Sequence, residues 1–119
     1  MNILIVDDDE LSRELLAIAV KRCGHSYQMF ENAYEAANHL ASADLLLMDW
    51  EMPDKSGVDF VKEARSHGVK IPIIIITVKD SYQDMHEAMC AGANQFVSKP
   101  INVNELIARI NLAEKELTE

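Results

Sequence analysis

Ile73-Ile74-Ile75-Ile76 is an unbroken β-branched run in which neither side of the strand alternation carries a polar residue. A strand wetted on one face alternates apolar and polar side chains, so a run like this one has both faces covered. That condition is met in a parallel sheet with helices packed above and below. Pro72 stands at the first strand position, where a missing backbone donor is tolerated. Similar segments recur, and strands are predicted over Asn2–Val6, Ser26–Phe30, Leu45–Met48, Ile73–Thr77 and Gln95–Ser98.

The segments between them read as helices with marked ends. The first spans Glu10–Cys23, places Leu11, Leu15 and Ile18 on one stripe, and stops at Gly24. The second follows Asn32, has Glu35 as a capping-box partner, and is expected to bury Ala33, Ala36, Ala37 and Leu40. The third starts near Ser56, buries Val58, Val61 and Ala64, and ends at Gly68. The fourth runs from Ser81 to Gly92 with Tyr82, Met85 and Met89 on one face, the methionines core-facing or half-buried. The fifth follows Asn102, carries Glu105 near its start, and buries Val103, Leu106, Ile107 and Ile110.

Strict β-α alternation implies right-handed crossovers and a covered parallel sheet. Five strands are too few for an eight-stranded barrel. The expected fold is therefore α/β, an open, doubly wound (βα)5 three-layer sandwich. At 119 residues the chain is expected to be a single domain over 1–119.

Charge narrows the partners. Twenty acidic residues against 11 basic ones give a formal −9, which repels nucleic-acid phosphates and anionic lipid. Direct nucleic-acid and membrane binding are thus disfavoured, and a protein or metal-ion partner is expected. The chain shows no basic leader and no apolar stretch near the ~20 residues of a membrane span. Cys23 and Cys90 form no CxxC pair and read as two partly buried thiols. A soluble, cytoplasmic chain is expected.

In an open α/β sheet, ligands bind beyond the carboxyl ends of the strands. Those ends collect Asp7, Asp8 and Asp9, then Asp49, then Thr77, then Lys99-Pro100. Clustered carboxylates repel, and a hard divalent cation gives them a reason to coexist; Mg²⁺ takes one or two carboxylates plus waters and phosphoryl oxygens. Thr77 and Lys99 suit phosphoryl oxygens, and phosphoryl transfer chiefly needs positioning and charge neutralisation. Asp49 is the candidate nucleophile, able to form an aspartyl phosphate. Asp9 reads as a helix cap or first-turn charge.

Val6-Asp7-Asp8, Leu47-Met48-Asp49-Trp50-Glu51-Met52-Pro53 with Gly57, Ile76-Thr77 and Phe96-Val97-Ser98-Lys99-Pro100 together resemble the receiver domain of bacterial two-component response regulators, the CheY-like superfamily. The resemblance covers essentially the whole chain. It implies a flavodoxin-like sheet in the order 2-1-3-4-5. It also implies that Asp49 is the phosphoacceptor and that Asp8, Asp49 and the Glu51 backbone carbonyl ligate Mg²⁺ (or Mn²⁺), with Asp7 acting mostly through water. Lys99 would grip a phosphoryl oxygen before a cis Lys99–Pro100 bond, Thr77 would swing to the phosphoryl group, and Phe96 would be the aromatic switch, reporting by packing alone. The implied partners are a sensor histidine kinase or histidine phosphotransfer protein, and a downstream protein docking at helix 4, strand 5 and helix 5. No output domain is expected, and a domain of this kind would assist only its own phosphorylation and dephosphorylation, so it is expected not to be an enzyme.

Three readings compete with this one. A receiver excised from a larger regulator or hybrid kinase would carry the same motifs. A flavodoxin-like electron carrier would need a glycine- and hydroxyl-rich phosphate loop where three aspartates stand. An aspartyl-nucleophile phosphatase would use Asp7 and Asp9 as its Asp-x-Asp pair and leave Asp49 without a role. Within the receiver pattern, Val78 is bulkier than the small residue common there, and Glu51 and Lys79 flank the pocket mouth, placed to pair or to steer water and phosphodonors. His25, His39, His67 and His86 read as solvated surface residues. Trp50 reads as a loop residue beside the site.

Overall fold

The computed structural model describes residues 1–118. Five strands, β1 (Asn2–Val6), β2 (Ser26–Phe30), β3 (Leu45–Asp49), β4 (Ile73–Thr77) and β5 (Gln95–Ser98), alternate with five helices. These are α1 (Glu10–Arg22), α2 (Ala33–Ala37), α3 (Gly57–Ser66), α4 (Tyr82–Ala91) and α5 (Val103–Thr118), with a 3₁₀ turn at Leu40–Ser42. All strand pairs are parallel, and the order is β2-β1-β3-β4-β5. The doubly wound α/β sandwich and its implied strand order both hold.

The isoleucine run is buried on both faces, as its lack of alternation requires. Ile73 and Ile75 join Leu4, Val6, Leu46 and Met48 in the core beneath α2, α3 and α4. Ile74 and Ile76 join Ile3, Ile5, Leu45 and Leu47 in the core beneath α1 and α5. The predicted caps are present: Asp9, Asn32, Ser56 and Ser81 each accept the backbone N–H three residues on. Asn102 does the same for Glu105.

The packing of several side chains departs from the sequence reading. In α1 the buried stripe is Ser12, Leu16, Ala17, Ala19 and Val20, whereas Leu11 and Ile18 are exposed. Two adjacent stripes of this helix are apolar, and periodicity does not distinguish the one whose smaller residues fit closely against β1. The second helix stops at Ala37, leaving Ala37 exposed and Leu40 half-buried in the 3₁₀ turn. In α4 the core contacts are made by Ala88 and Ala91, and Tyr82, Met85 and Met89 face outward. Val103 and Ile107 are half-buried. Cys23 is half-buried and Cys90 exposed.

His25 is not solvated. Its side chain is 8% exposed, with Nδ1 2.8 Å from the Met1 amine and Nε2 3.4 Å from Glu114 Oε2. It ties the edge of the sheet to α5.

Gly57 opens α3 directly against the end of β3. Its N–H donates to Trp50 O at 2.7 Å, and a Cβ there would lie 2.2 Å from Asp49 O. The obstacle is backbone, so it cannot rotate away. Gly57→Ala should therefore cost about 1–3 kcal/mol through overpacking, outweighing the up to ~1 kcal/mol that alanine gains in a helix. Urea unfolding should show a lower midpoint with an unchanged slope, whereas an unchanged or raised midpoint would show that this close approach is unimportant.

Candidate functional site

Parallel register brings the predicted residues to one edge. Val6 pairs with Met48, so Asp7 and Asp49 leave the sheet side by side. Thr77 pairs with Ser98, so Lys99 follows at the same level two strands away. Lys99 N–H donates to Thr77 O at 2.7 Å, and the Lys99–Pro100 bond is cis.

Asp7 is fully buried. Its Oδ1 accepts the Asp9 N–H at 2.9 Å, and Arg13 Nη1 donates to its backbone oxygen at 2.7 Å. Its Oδ2 lies 3.2 Å from Lys99 Nζ. Asp49, the last residue of β3 and only 1% exposed, has Oδ1 3.4 Å from the same ammonium. Asp8 is exposed at the rim, and one carboxylate oxygen from each of Asp7, Asp8 and Asp49 can be chosen within 4.8 Å of the others. Asp9 stands outside this group: its Oδ2 accepts the Ser12 N–H at 2.9 Å and caps α1, which removes the second acid of an Asp-x-Asp phosphatase pair.

One lysine does not satisfy this cluster. Asp7 Oδ2 and Asp49 Oδ1 are buried without an aligned hydrogen-bond donor, although Lys99 is within ion-pair distance of both. The ammonium supplies charge off the bonding line. Burial, and then the neighbouring Asp7 charge, push the Asp49 carboxyl up to about 7 against the opposing pull of Lys99. Burial would lower the Lys99 ammonium, but Asp7 and Asp49 overcome it and hold it above its ordinary value. Two under-bonded buried oxygens beside an exposed third carboxylate fit a hard divalent cation, which favours oxygen donors.

Thr77 is fully buried, and its hydroxyl is engaged. Oγ1 lies 2.9 and 3.2 Å from the two carboxylate oxygens of Glu51, to which it donates, and it accepts the Lys79 N–H at 3.0 Å. Glu51 and Lys79 thus flank the site without pairing, because Lys79 Nζ lies 5.3 Å from the Trp50 ring centroid instead. Trp50 is a buried residue, 6% exposed, and meets Phe96 edge-on at 6.5 Å. Phe96 is itself buried and lies in the core below the site. The sequence reading missed the burial of Trp50 and the grip of Glu51 on Thr77. The spacing of both residues from Asp49 and Thr77 was the only available signal.

The sequence profile of the response regulator receiver domain matches residues 3–111. The chain belongs to the response regulator receiver domain family. This receiver is 34% identical over 112 residues to the transcriptional regulatory protein PhoP of Escherichia coli, and 31% identical to the virulence transcriptional regulatory protein PhoP of Salmonella typhimurium. Each alignment covers 92% of this chain and 50% of the relative, so the receiver spans about half the length of these curated relatives. Among solved structures, the receiver domain of a Francisella response regulator superposes with a TM-score of 0.91 at 25% identity, covering 98% of both chains. A CheY-like receiver domain protein from Methanospirillum hungatei gives 0.84 at 26% identity, covering 97% of both chains. Among the described residues no helix is long and apolar enough to cross a membrane.

The acidic cluster of this receiver makes a thermal prediction. A cation that binds only the native state stabilises it by about 2.7 kcal/mol at a hundredfold excess over its dissociation constant. Mg²⁺ should raise the melting temperature, and Asp8→Ala should reduce that gain. Melts in Mg²⁺ and in chelator that superimpose would show that Asp7, Asp8 and Asp49 hold no cation.

Proposed function

We propose that this receiver takes a phosphoryl group onto Asp49 from the phosphohistidine of a sensor kinase or phosphotransfer protein. The observation that carries this reading is the Asp49 carboxylate at the end of a central strand, buried beside Asp7 and 3.4 Å from Lys99. A carboxylate oxygen of Asp49 would attack phosphorus, the phosphorus–nitrogen bond of the donor would break, and the partner's imidazole would take up a proton. Lys99 would meet a phosphoryl oxygen as the Asp49 negative charge moves outward onto the new group. Mg²⁺ or Mn²⁺ held by Asp7, Asp8, Asp49 and the Glu51 backbone carbonyl would supply further charge neutralisation.

On this reading the domain acts on no external substrate and assists only its own phosphorylation and hydrolysis. The free cysteines suit a reducing cytoplasm. Exposed Leu11, just after the Asp7–Asp9 turn, offers the phosphodonor protein an apolar contact. The signal would be read on α4, β5 and α5, by a separate protein or by a further domain of a longer regulator, as the half-length match to the PhoP proteins favours. Incubation with acetyl phosphate and Mg²⁺ should add one phosphoryl group by intact mass to wild type and none to Asp49→Asn. Undiminished labelling of Asp49→Asn would move the acceptor elsewhere and end this assignment.

Thr77 connects the chemistry to the surface. Its single hydroxyl proton is directed to Glu51, so it reaches a phosphoryl oxygen only by leaving that carboxylate. Only interactions that differ between two states shift their balance, and Glu51 therefore weights the unphosphorylated one. A hydrogen bond to a charged acceptor is worth about 1.5–3 kcal/mol, and the exposure of Glu51 reduces this. Glu51→Ala should favour the active conformation on the order of fivefold, equivalent to ~1 kcal/mol. Thr77→Ala should still accept the phosphoryl group while losing much of the response at α4 and β5. Chemical-shift maps with and without beryllofluoride test both variants; responses identical to wild type in both would eliminate this exchange of acceptors.

A further inference from the structure

The exposed face of α4 carries Tyr82, Met85, His86, Met89 and Cys90, residues that neither the core nor the acidic site uses. His86 and Cys90 are four apart, one turn along the helix, and both are exposed. Their side chains touch: Cys90 Sγ lies 3.4 Å from His86 Nε2 and 3.9 Å from Nδ1, against the ring edge between the two nitrogens. A tetrahedral zinc, with Zn–S ~2.3 Å and Zn–N ~2.0 Å, separates two such ligands by about 3.5 Å. A turn of the exposed His86 ring, which directs one nitrogen past the sulfur, brings the pair to the spacing of two ligands on one ion.

We propose that His86 and Cys90 form half of a zinc site that a second copy of this chain completes. A thiolate and an imidazole leave two positions of a tetrahedron open, and an identical pair related by a two-fold axis fills them as Cys₂His₂. The coordination number selects the occupant. Without the ion, two chains of formal charge −9 repel each other. Zn²⁺ balances the two thiolates, whose protons pass to the buffer on binding. The interface would cover Met85 and Met89, which are 38% and 47% exposed. Ligand type separates this site from the acidic cluster, since carboxylates suit Mg²⁺ while thiolate and imidazole suit zinc.

The full chain, kept reduced with a phosphine and saturated with Mg²⁺, is titrated with Zn²⁺ and followed by light scattering and metal analysis. The expected product is a dimer with about one zinc per two chains, dissociated by chelator. Co²⁺ in place of zinc should give a thiolate-to-metal charge-transfer band. Cys90→Ser and His86→Ala should each abolish the dimer and the band without changing the melting temperature. The exchanged variant H86C/C90H keeps both ligands and should restore binding. Zinc uptake unaffected by the two single variants, or a monomer carrying its own zinc, would overturn the proposal. So would a dimer that survives chelator and disappears with stronger reductant, since that marks a Cys90–Cys90 disulfide.

Discussion

Two buried carboxylates share one ammonium, and the rest of the structure is arranged to hold them there. Asp7 and Asp49 are 0% and 1% exposed, and Lys99 approaches both from a different strand. Isolated buried charges would cost several kcal/mol each, so the cluster survives only if its members arrive together. The parallel register secures this, because β1 and β3 are neighbours and end level with one another. A one-residue slip of either strand would turn its aspartate toward the opposite helical layer and bury the charge among isoleucines. The long apolar strands on both faces make such a slip costly. Hydrophobic packing thus fixes the electrostatics.

The same edge joins the cluster to a second, uncharged device. Thr77 ends β4 one position past Ile76, whose carbonyl accepts the Trp50 N–H at 3.0 Å. Trp50 in turn packs on Phe96 of β5. A change at Asp49 therefore has two short routes outward, one through the hydroxyl of Thr77 and one through the ring pair. Phe96 has no hydroxyl to exchange, and it is already buried. Any response on that route is a repacking of two rings in contact.

The fold could be read from the sequence because its determinants are local and redundant. Unalternated apolar runs, capping residues and terminal glycines each marked the same boundaries, and the parallel arrangement then placed Asp7, Asp49, Thr77 and Lys99 on one edge. Side-chain contacts between elements were less accessible. Both apolar stripes of α1 satisfy a helical period, and tertiary packing selected Leu16 and Val20 over Leu11 and Ile18. His25 looked like any polar residue on an edge strand until Met1 and Glu114 were brought to it. Glu51 was expected at the pocket mouth, but which of Lys79 and Thr77 it would engage depends on loop geometry that spacing does not encode.

The attachment of α4 explains why a change at Thr77 need not remain local. This helix is buried only through Ala88 and Ala91, small side chains that contribute little apolar area. Its carboxyl end is firmly held, since Arg65 Nε and Nη2 donate to Gly92 O at 3.0 and 2.9 Å, and Nη2 also donates to Asn94 Oδ1. Its amino end is joined to the site by a short loop in which the Lys79 N–H donates to Thr77 Oγ1. A hydroxyl that turns away from Glu51 also changes its alignment with Lys79. On the proposed reading, strain would then pass into the end of α4 that has few anchors, while Arg65 holds the other. A helix fixed at its carboxyl end and weakly packed along its length would respond by pivoting there, so Tyr82 and Met85 near the amino end would move more relative to β5 than Met89 beside the held end.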